Sequence, residues 1–219
     1  MKEYRNYSRQ GAKAGAKTVE RRSVERGWGQ RRGSYARRVE SLTSWARRTA
    51  QRHLQPLGRR WDHVRAVGAA AERIAEAFGD DGETLVCAAY LHDIGYAQEI
   101  AATGFHPLDG GRYVRSHGQE KLARLVAHHS GARIEAELRG IQGYCEEFPF
   151  EDGPLDHALT FCDLTTGPDG TPVSLSWRVQ EIGERYGRDA VTARAILAGV
   201  PEFERACKLT RQRVAAVEN

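Results

Sequence analysis

An imidazole and a carboxylate stand side by side at His92 and Asp93, at the end of the apolar stretch that begins at Ala88. Such a pair at a helix end can bind one metal ion or share two. Other imidazole and carboxylate side chains occur in order along the chain, at the ends of predicted helices or on their core-facing sides. The candidate metal ligands are His63, His92, Asp93, His106, His128, His129 and Asp163. Imidazole and carboxylate ligands favour one or two divalent transition metal ions, namely Mn, Fe, Zn, Co or Ni.

Asp163 is the candidate that is hardest to explain without a ligand. It stands between Phe161-Cys162 and Leu164, so we expect it to be buried, and a buried carboxylate needs a partner or a metal. Any single histidine of the set is more often a hydrogen-bonded surface or core residue than a ligand. The ordered set as a whole indicates a metal site. The remaining histidines fall outside the series and are predicted at the surface: His53, His117 and His157.

The elements that must position these residues are predicted to be helices. Apolar residues recur at helical spacing, and we find no alternating strand of convincing length and no internal repeat, so the fold class should be all-α. Gly95 is a plausible C-cap of the helix that ends at Leu91. Residues 39–170 are predicted to form a metal-binding helical domain, and residues 171–219 a C-terminal helical extension packed on it. The predicted helices cover about 39–54, 61–78, 83–91, 107–116, 119–129, 135–139, 154–162, 175–187, 189–198 and 201–217.

The charge of the chain is divided unevenly. Residues 1–60 hold 17 Lys and Arg against 4 Asp and Glu, a formal charge of +13. The whole chain has a formal net charge of +4, so residues 61–219 carry −9. Residues 1–38 have few aliphatic side chains, and we expect a basic arm that is disordered or loosely helical. Its composition is compatible with weak, salt-sensitive contact with nucleic acid or another polyanion, and equally with a solubilising tail.

Composition also limits the class of protein. The chain has no run of eighteen apolar residues and no apolar segment behind its charged first residues, so we expect a cytoplasmic protein with no membrane contact. The four cysteines are scattered without Cys-x-x-Cys spacing, which favours reduced core thiols. They are Cys87, Cys145, Cys162 and Cys207. The oligomeric state stays open.

The order of His63, His92-Asp93 and Asp163 resembles the HD superfamily of metal-dependent phosphohydrolases over roughly residues 42–170. The resemblance implies a helical bundle in which these four side chains are the primary metal ligands. His106 and the pair at 128–129 are similar to the extra ligands of binuclear members, in which Asp93 would bridge two ions and act as the catalytic pivot. The chain has Tyr96 where the cyclic-dinucleotide phosphodiesterase branch has a lysine, and it lacks that branch's Gly-Tyr-Pro signature, which argues against cyclic di-GMP as a substrate.

The activity that follows from the resemblance is hydrolysis of a phosphomonoester or phosphodiester, in a phosphorylated small molecule or a nucleotide. The alternative is a non-catalytic metal- or nucleotide-binding module with a polyanion-binding arm. Thr165 and Thr166 follow a predicted ligand and could meet the substrate, although an ordinary Pro-Asp-Gly turn explains the residues just after them. Four cations are substrate-binding candidates on position alone, with a solvated helix face as the alternative for each: Arg65, Lys121, Arg124 and Arg178.

Overall fold

A computed structural model describes residues 40–217, and within them the fold is all-helical, as predicted. The basic arm lies outside the described residues, so its conformation stays a prediction. The only strand-like pairing in the described part is an isolated bridge between Thr166 and Pro172. The α-helices are α1 (Leu42–Leu54), α2 (Arg59–Ile74), α3 (Gly82–Leu91), α4 (His106–Ser116), α5 (Glu120–His128), α6 (Ala132–Leu138), α7 (Tyr144–Glu147), α8 (Pro154–Leu164), α9 (Leu175–Tyr186) and α10 (Val191–Ala215).

Helix α3 is the central element of the bundle. Its sequence GETLVCAAYL is apolar around most of its circumference, and Leu85, Cys87 and Leu91 are fully buried. A helix that is apolar on all sides has to be surrounded, and α1, α2, α5 and α8 pack against it. The residues that follow α3 therefore enter the interior of the molecule rather than its surface.

The C-terminal helices differ from the prediction. We predicted two helices, at 189–198 and 201–217, but a single helix, α10, runs from Val191 to Ala215 and contains Pro201. Proline inside a helix removes a hydrogen bond and costs about 3 kcal/mol. Here Ile196 and Phe203 lie on either side of the proline and are both buried, and α10 packs against α6, α8 and α9. Burial of one continuous apolar face offsets the local cost.

Two further predictions about local structure are wrong. Gly95 is not a helix C-cap; it lies in a 3₁₀ turn, Ile94–Tyr96, and a Cβ at Gly95 would lie 2.0 Å from the carbonyl oxygen of His106. The glycine is needed for this close approach. His157 is buried rather than on the surface, because α8 turns it inward and its Nε2 lies 2.7 Å from a carboxylate oxygen of Asp152.

The four cysteines are free thiols, as expected, but only three of them lie in the core. Cys87, Cys162 and Cys207 are buried, and Cys145 is exposed. In the described residues, no helix is both long enough and apolar enough to span a bilayer.

Candidate metal centre

His92 and Asp93 lie where α3 ends inside the bundle, and both are buried. Nδ1 of His92 donates to the carbonyl of Ala89 at 2.8 Å, which fixes the ring and leaves Nε2 as the free nitrogen. This Nε2 is buried without a hydrogen-bond partner, 3.3 Å from Oδ2 of Asp93. A buried ring nitrogen beside a carboxylate is costly unless the nitrogen carries a proton or a metal ion. These donors therefore fit a metal ion.

His63 comes from α2 and completes the first group of ligands. Its Nδ1 donates to the carbonyl of Gly167 at 2.9 Å, and its Nε2 lies 2.9 Å from Oδ1 of Asp163 at the end of α8. The same carboxylate oxygen lies 3.8 Å from Nε2 of His92. Donor atoms of His63, His92 and Asp93 all lie within 4.8 Å of one another. Three helices that are distant in sequence thus place four side chains around one point.

His106 and His129 form a second group on the other side of Asp93. Nε2 of His106 lies 3.4 Å from Oδ1 of Asp93 and 3.3 Å from Nε2 of His129. Nδ1 of His129 donates to the carbonyl of Val126 at 2.6 Å, so its Nε2 also faces the carboxylate, at 3.8 Å. The two groups share Asp93: its Oδ2 lies near His92, and its Oδ1 lies near His106 and His129. The described imidazoles therefore form two potential metal-binding groups around one carboxylate.

The charges of the centre follow from burial and from these contacts. Burial disfavours the imidazolium form of His92, but the negative charge of Asp93 outweighs it and raises the pKa of His92 to about 9. Burial also disfavours ionised carboxylates, yet the pKa of Asp93 is held well below its usual value by Arg60 and His92. The pKa of Asp163 is likewise lowered, by His63 and His92. Burial lowers the pKa values of His106 and His129, so these imidazoles are neutral near pH 7.

Arg60 is a site residue that the sequence did not single out. Its Nη1 donates to Oδ2 of Asp93 at 2.6 Å, and its guanidinium lies over the ring of Tyr96, 4.1 Å from the centroid. Tyr96 in turn stacks on His106, with ring centroids 3.9 Å apart. The signal in the sequence was present, because Arg60 precedes His63 by three residues, close to one helical turn.

Ser130 is a second residue that was missed. It follows His129 with φ of 49°, and it is the one non-glycine residue with positive φ among those the structure describes. Its hydroxyl donates to Oδ2 of Asp163 at 2.5 Å. A serine held in the left-handed region next to a ligand is strain of the kind that collects at functional sites. Nothing in sequence spacing signals a left-handed serine.

His128 is not part of the centre, and its prediction as a ligand is corrected. It closes α5 one residue before His129, and its Nε2 donates to the carbonyl of Phe148 at 2.6 Å. The neighbouring side chains diverge because His128 has helical φ and ψ whereas His129 turns out of the helix at ψ of 143°. The other six predicted ligands lie together in the two groups that share Asp93.

Thr165 and Thr166 are used by the backbone rather than presented to a ligand. Their hydroxyls donate to the carbonyls of Phe161 and Cys162, four residues earlier, at 2.6 and 2.7 Å. Both close the end of α8, as such back-bonds do. The loop does contribute to the site, but through the carbonyl of Gly167 that orients His63.

The four predicted cations separate into one near the centre and three away from it. Arg178 is buried and lines the cleft beside Asp163. Lys121 pairs with Asp81 at 2.5 Å, and Arg124 pairs with Glu120 and Glu151 on the surface. Arg65 pairs with Asp62 at 3.5 Å, and its side chain is two-thirds exposed. Arg65 is on a solvated helix face, whereas Lys121 and Arg124 line a different cavity, of about 610 Å³, that contains no residue of either ligand group.

The centre opens into a cleft of about 510 Å³, which we call the metal cleft. Its floor carries Asp93, His106, His129 and Asp163, and α9 and α10 supply much of the facing wall. The wall includes three side chains that were not anticipated and that can contact a ligand: Arg60, Arg185 and Tyr186. The cleft therefore gives a small ligand a path from solvent to His106 and His129.

Among known proteins, a family model matches the chain, whereas no curated protein and no solved structure does. The family model of the HD domain matches residues 60–163, which begin at Arg60 on α2 and end at Asp163 on α8. That span contains every side chain of both ligand groups, in the order noted in the sequence. HD domains are typically metal-dependent phosphohydrolases. The chain contains an HD domain, at residues 60–163.

Proposed function

We propose that this chain is a metal-dependent phosphohydrolase that cleaves a phosphomonoester or phosphodiester bond in a small phosphorylated or nucleotide-like molecule. The observation that carries the proposal is that Asp93 is shared by two groups of imidazoles at the floor of an open cleft. A site that only stabilised the fold would not need a second group or an opening to solvent.

The residues available to hold the ions divide around Asp93. His63, His92 and Asp163 would hold one ion together with Asp93, and His106 and His129 would hold another with the same carboxylate. When bound, divalent ions of this type supply an activated water at neutral pH and offset the negative charge of a phosphate. Which of Mn, Fe, Zn, Co or Ni is used is not decided by this donor set, because imidazole and carboxylate suit all of them.

The chain's own groups prepare the site for that chemistry. Backbone carbonyls accept the Nδ1 protons of three of the imidazoles, so their Nε2 atoms face the centre without any rearrangement. Arg60 and Arg178 line the cleft and can offset charge on the phosphate oxygens. Ser130 holds Asp163 in place through its hydroxyl.

The direct test is metal content and hydrolysis by the full chain. We expect about two transition metal ions per chain, and turnover of an aryl phosphate or of a nucleotide from a panel, which EDTA abolishes and added metal restores. Asp93→Asn keeps the shape of the side chain but removes its charge, so it should lose both metal and at least about a thousandfold in kcat/KM. His117→Gln, at an exposed histidine, is the matched control and should retain both.

The opposing results are equally clear. Activity that is insensitive to EDTA and to Asp93→Asn would refute the proposal. Full metal occupancy without turnover of any phosphate ester in the panel would also refute it, and would favour the non-catalytic binding module.

We also propose that residues 1–38 contact a polyanion weakly. The support is their composition, which is rich in Lys and Arg with interspersed Tyr and Trp. Binding of the full chain to single-stranded nucleic acid should then weaken steeply with salt, and binding that is independent of salt would refute this role.

A further inference from the structure

A second cavity, of about 540 Å³, adjoins the metal cleft. Four arginines line it, and we call it the arginine pocket: Arg59, Arg60, Arg178 and Arg185. No acidic side chain lines it. The last three of these arginines also line the metal cleft, and His63 lies in the wall of the arginine pocket. The two cavities therefore meet at a shared row of guanidinium groups.

Arg178, which lines this pocket, has a buried polar atom without a hydrogen-bond partner. The side chain is only 4% exposed, and its Nη1 pairs with Glu181 at 2.5 Å. Its Nε is buried and makes no hydrogen bond. A buried guanidinium N–H without an acceptor carries a desolvation cost that an anion in the pocket would remove. The unpaired donor is an independent sign of an anionic ligand.

The local charge balance points in the same direction. Glu181 accepts a hydrogen bond from Arg178 and forms an ion pair with Arg185 at 3.3 Å, so one carboxylate serves two guanidinium groups. The side chain of Arg59 is exposed; within the described residues it forms no salt bridge, and Asp169 is a carboxylate whose pKa is lowered by local hydrogen bonds and by the charge of Arg59. Helix α2, of 16 residues, also begins at Arg59 with no side chain capping its first turn, although Asp62 lies in that turn and pairs with Arg65. The part of the helix's positive end that Asp62 does not offset adds to the charge of the arginines.

We propose that the arginine pocket binds a second phosphate group of the substrate, while the first lies at the metal centre. This inference rests on the proposed phosphohydrolase function and narrows it: the substrate class is a compound with at least two phosphate groups. The shared arginines lie between the two cavities and would contact both groups. Guanidinium forks suit this task because they bind phosphate oxygens through paired N–H donors.

Arg59→Gln is the most selective test, because Arg59 lines the arginine pocket and not the metal cleft. Arg65→Gln is the matched control, since Arg65 is an exposed arginine on the same helix that lines neither cavity. The full chain, loaded with metal, would be assayed with AMP and with adenosine 3′,5′-bisphosphate, which differ by one phosphate. We expect Arg59→Gln to raise KM for the bisphosphate by about fivefold or more and to leave kcat/KM for AMP within about twofold. Arg65→Gln should change neither.

A binding measurement separates this inference from the proposed function. Inorganic pyrophosphate would be titrated calorimetrically into EDTA-treated full-length protein, where any contribution of the basic arm is the same in all variants. Arg59→Gln should weaken binding by about fivefold relative to wild type and to Arg65→Gln. Wild-type protein that hydrolyses nothing but shows this difference would overturn the phosphohydrolase and leave the anion pocket standing. Equal behaviour of the two variants, in kinetics or in binding, would overturn the arginine pocket, as would an equal loss for AMP and the bisphosphate.

Discussion

Gly95 offers a way to move one ligand group without touching a ligand. Its Cα packs against the first turn of α4, where a Cβ would lie 2.0 Å from the carbonyl oxygen of His106 and 2.7 Å from the amide nitrogen of Gly110. Gly95→Ala places a methyl group there. Both contacting atoms belong to backbone, so no side-chain rotation can relieve the overlap.

The size of the displacement follows from these distances. Cβ contacts below 3.0 Å essentially never occur, so the 2.0 Å approach must open by at least 1.0 Å. Metal–ligand distances tolerate only about 0.2 Å, so a shift of this size at the α4 N-terminus takes His106 out of reach of an ion that His129 and Asp93 hold. Overpacking of this kind costs about 1–3 kcal/mol, which lowers the melting temperature of a chain of this size by roughly 2–12 °C.

The assay combines metal analysis with thermal unfolding. We expect Gly95→Ala to fall from about two ions per chain to about one, and to unfold at lower temperature when both proteins have been treated with EDTA. His106→Ala should reproduce the loss of the ion without the packing strain. Gly183→Ala is the control, since a Cβ at this helical glycine meets nothing within 4 Å; it should keep both ions and gain up to about 1 kcal/mol.

A Gly95→Ala protein that retains two ions would refute this reasoning, since it would mean that the position of α4 does not set the second ligand group. A loss of both ions in His106→Ala would also contradict it, because the first ligand group does not contain His106.

Other changes test other parts of the structure. Because His128 donates to the carbonyl of Phe148 and faces away from the centre, His128→Gln should keep full metal content; a loss of one ion per chain would restore it to the ligand set. Removing the hydroxyl that Ser130 donates to Asp163 should weaken metal binding by about 10- to 100-fold in Ser130→Ala, measured by competition with a chelator, and unchanged affinity would count against a positioning role. Burial and Asp152 raise the pKa of Asp156 to about 7, so the folded state retains a proton that the unfolded state releases above about pH 4, and this contribution to stability is lost as pH rises toward 7. Asp156→Asn should therefore reduce the fall in unfolding free energy between about pH 4 and pH 8 by roughly 1–3 kcal/mol in urea titrations, whereas identical pH profiles would show that this carboxyl is not perturbed.

Much of the fold and part of the candidate centre could be predicted from local patterns. Helical spacing of apolar residues identified the bundle, and the burial of Asp163 followed from its apolar neighbours. Local sequence patterns gave wrong helix ends where a long-range contact outweighed the local preference. The pattern predicted two helices, at 189–198 and 201–217, but packing on both sides of Pro201 keeps α10 continuous. The local pattern predicts Gly95 as a helix C-cap, but glycine is required there because the backbone of α4 lies too close for a Cβ atom.

The sequence by itself determined the chemical type of the site, because the residue types in order along the chain already define an imidazole and carboxylate donor set. Only the tertiary structure decided which side chains meet. His128 and His129 are equivalent in sequence, yet a change of backbone angle between them sends one to Phe148 and the other to Asp93. The arginines beside the centre come from α2 and α9, more than a hundred residues apart. No local pattern encodes that proximity, because it arises from how the helices pack around α3.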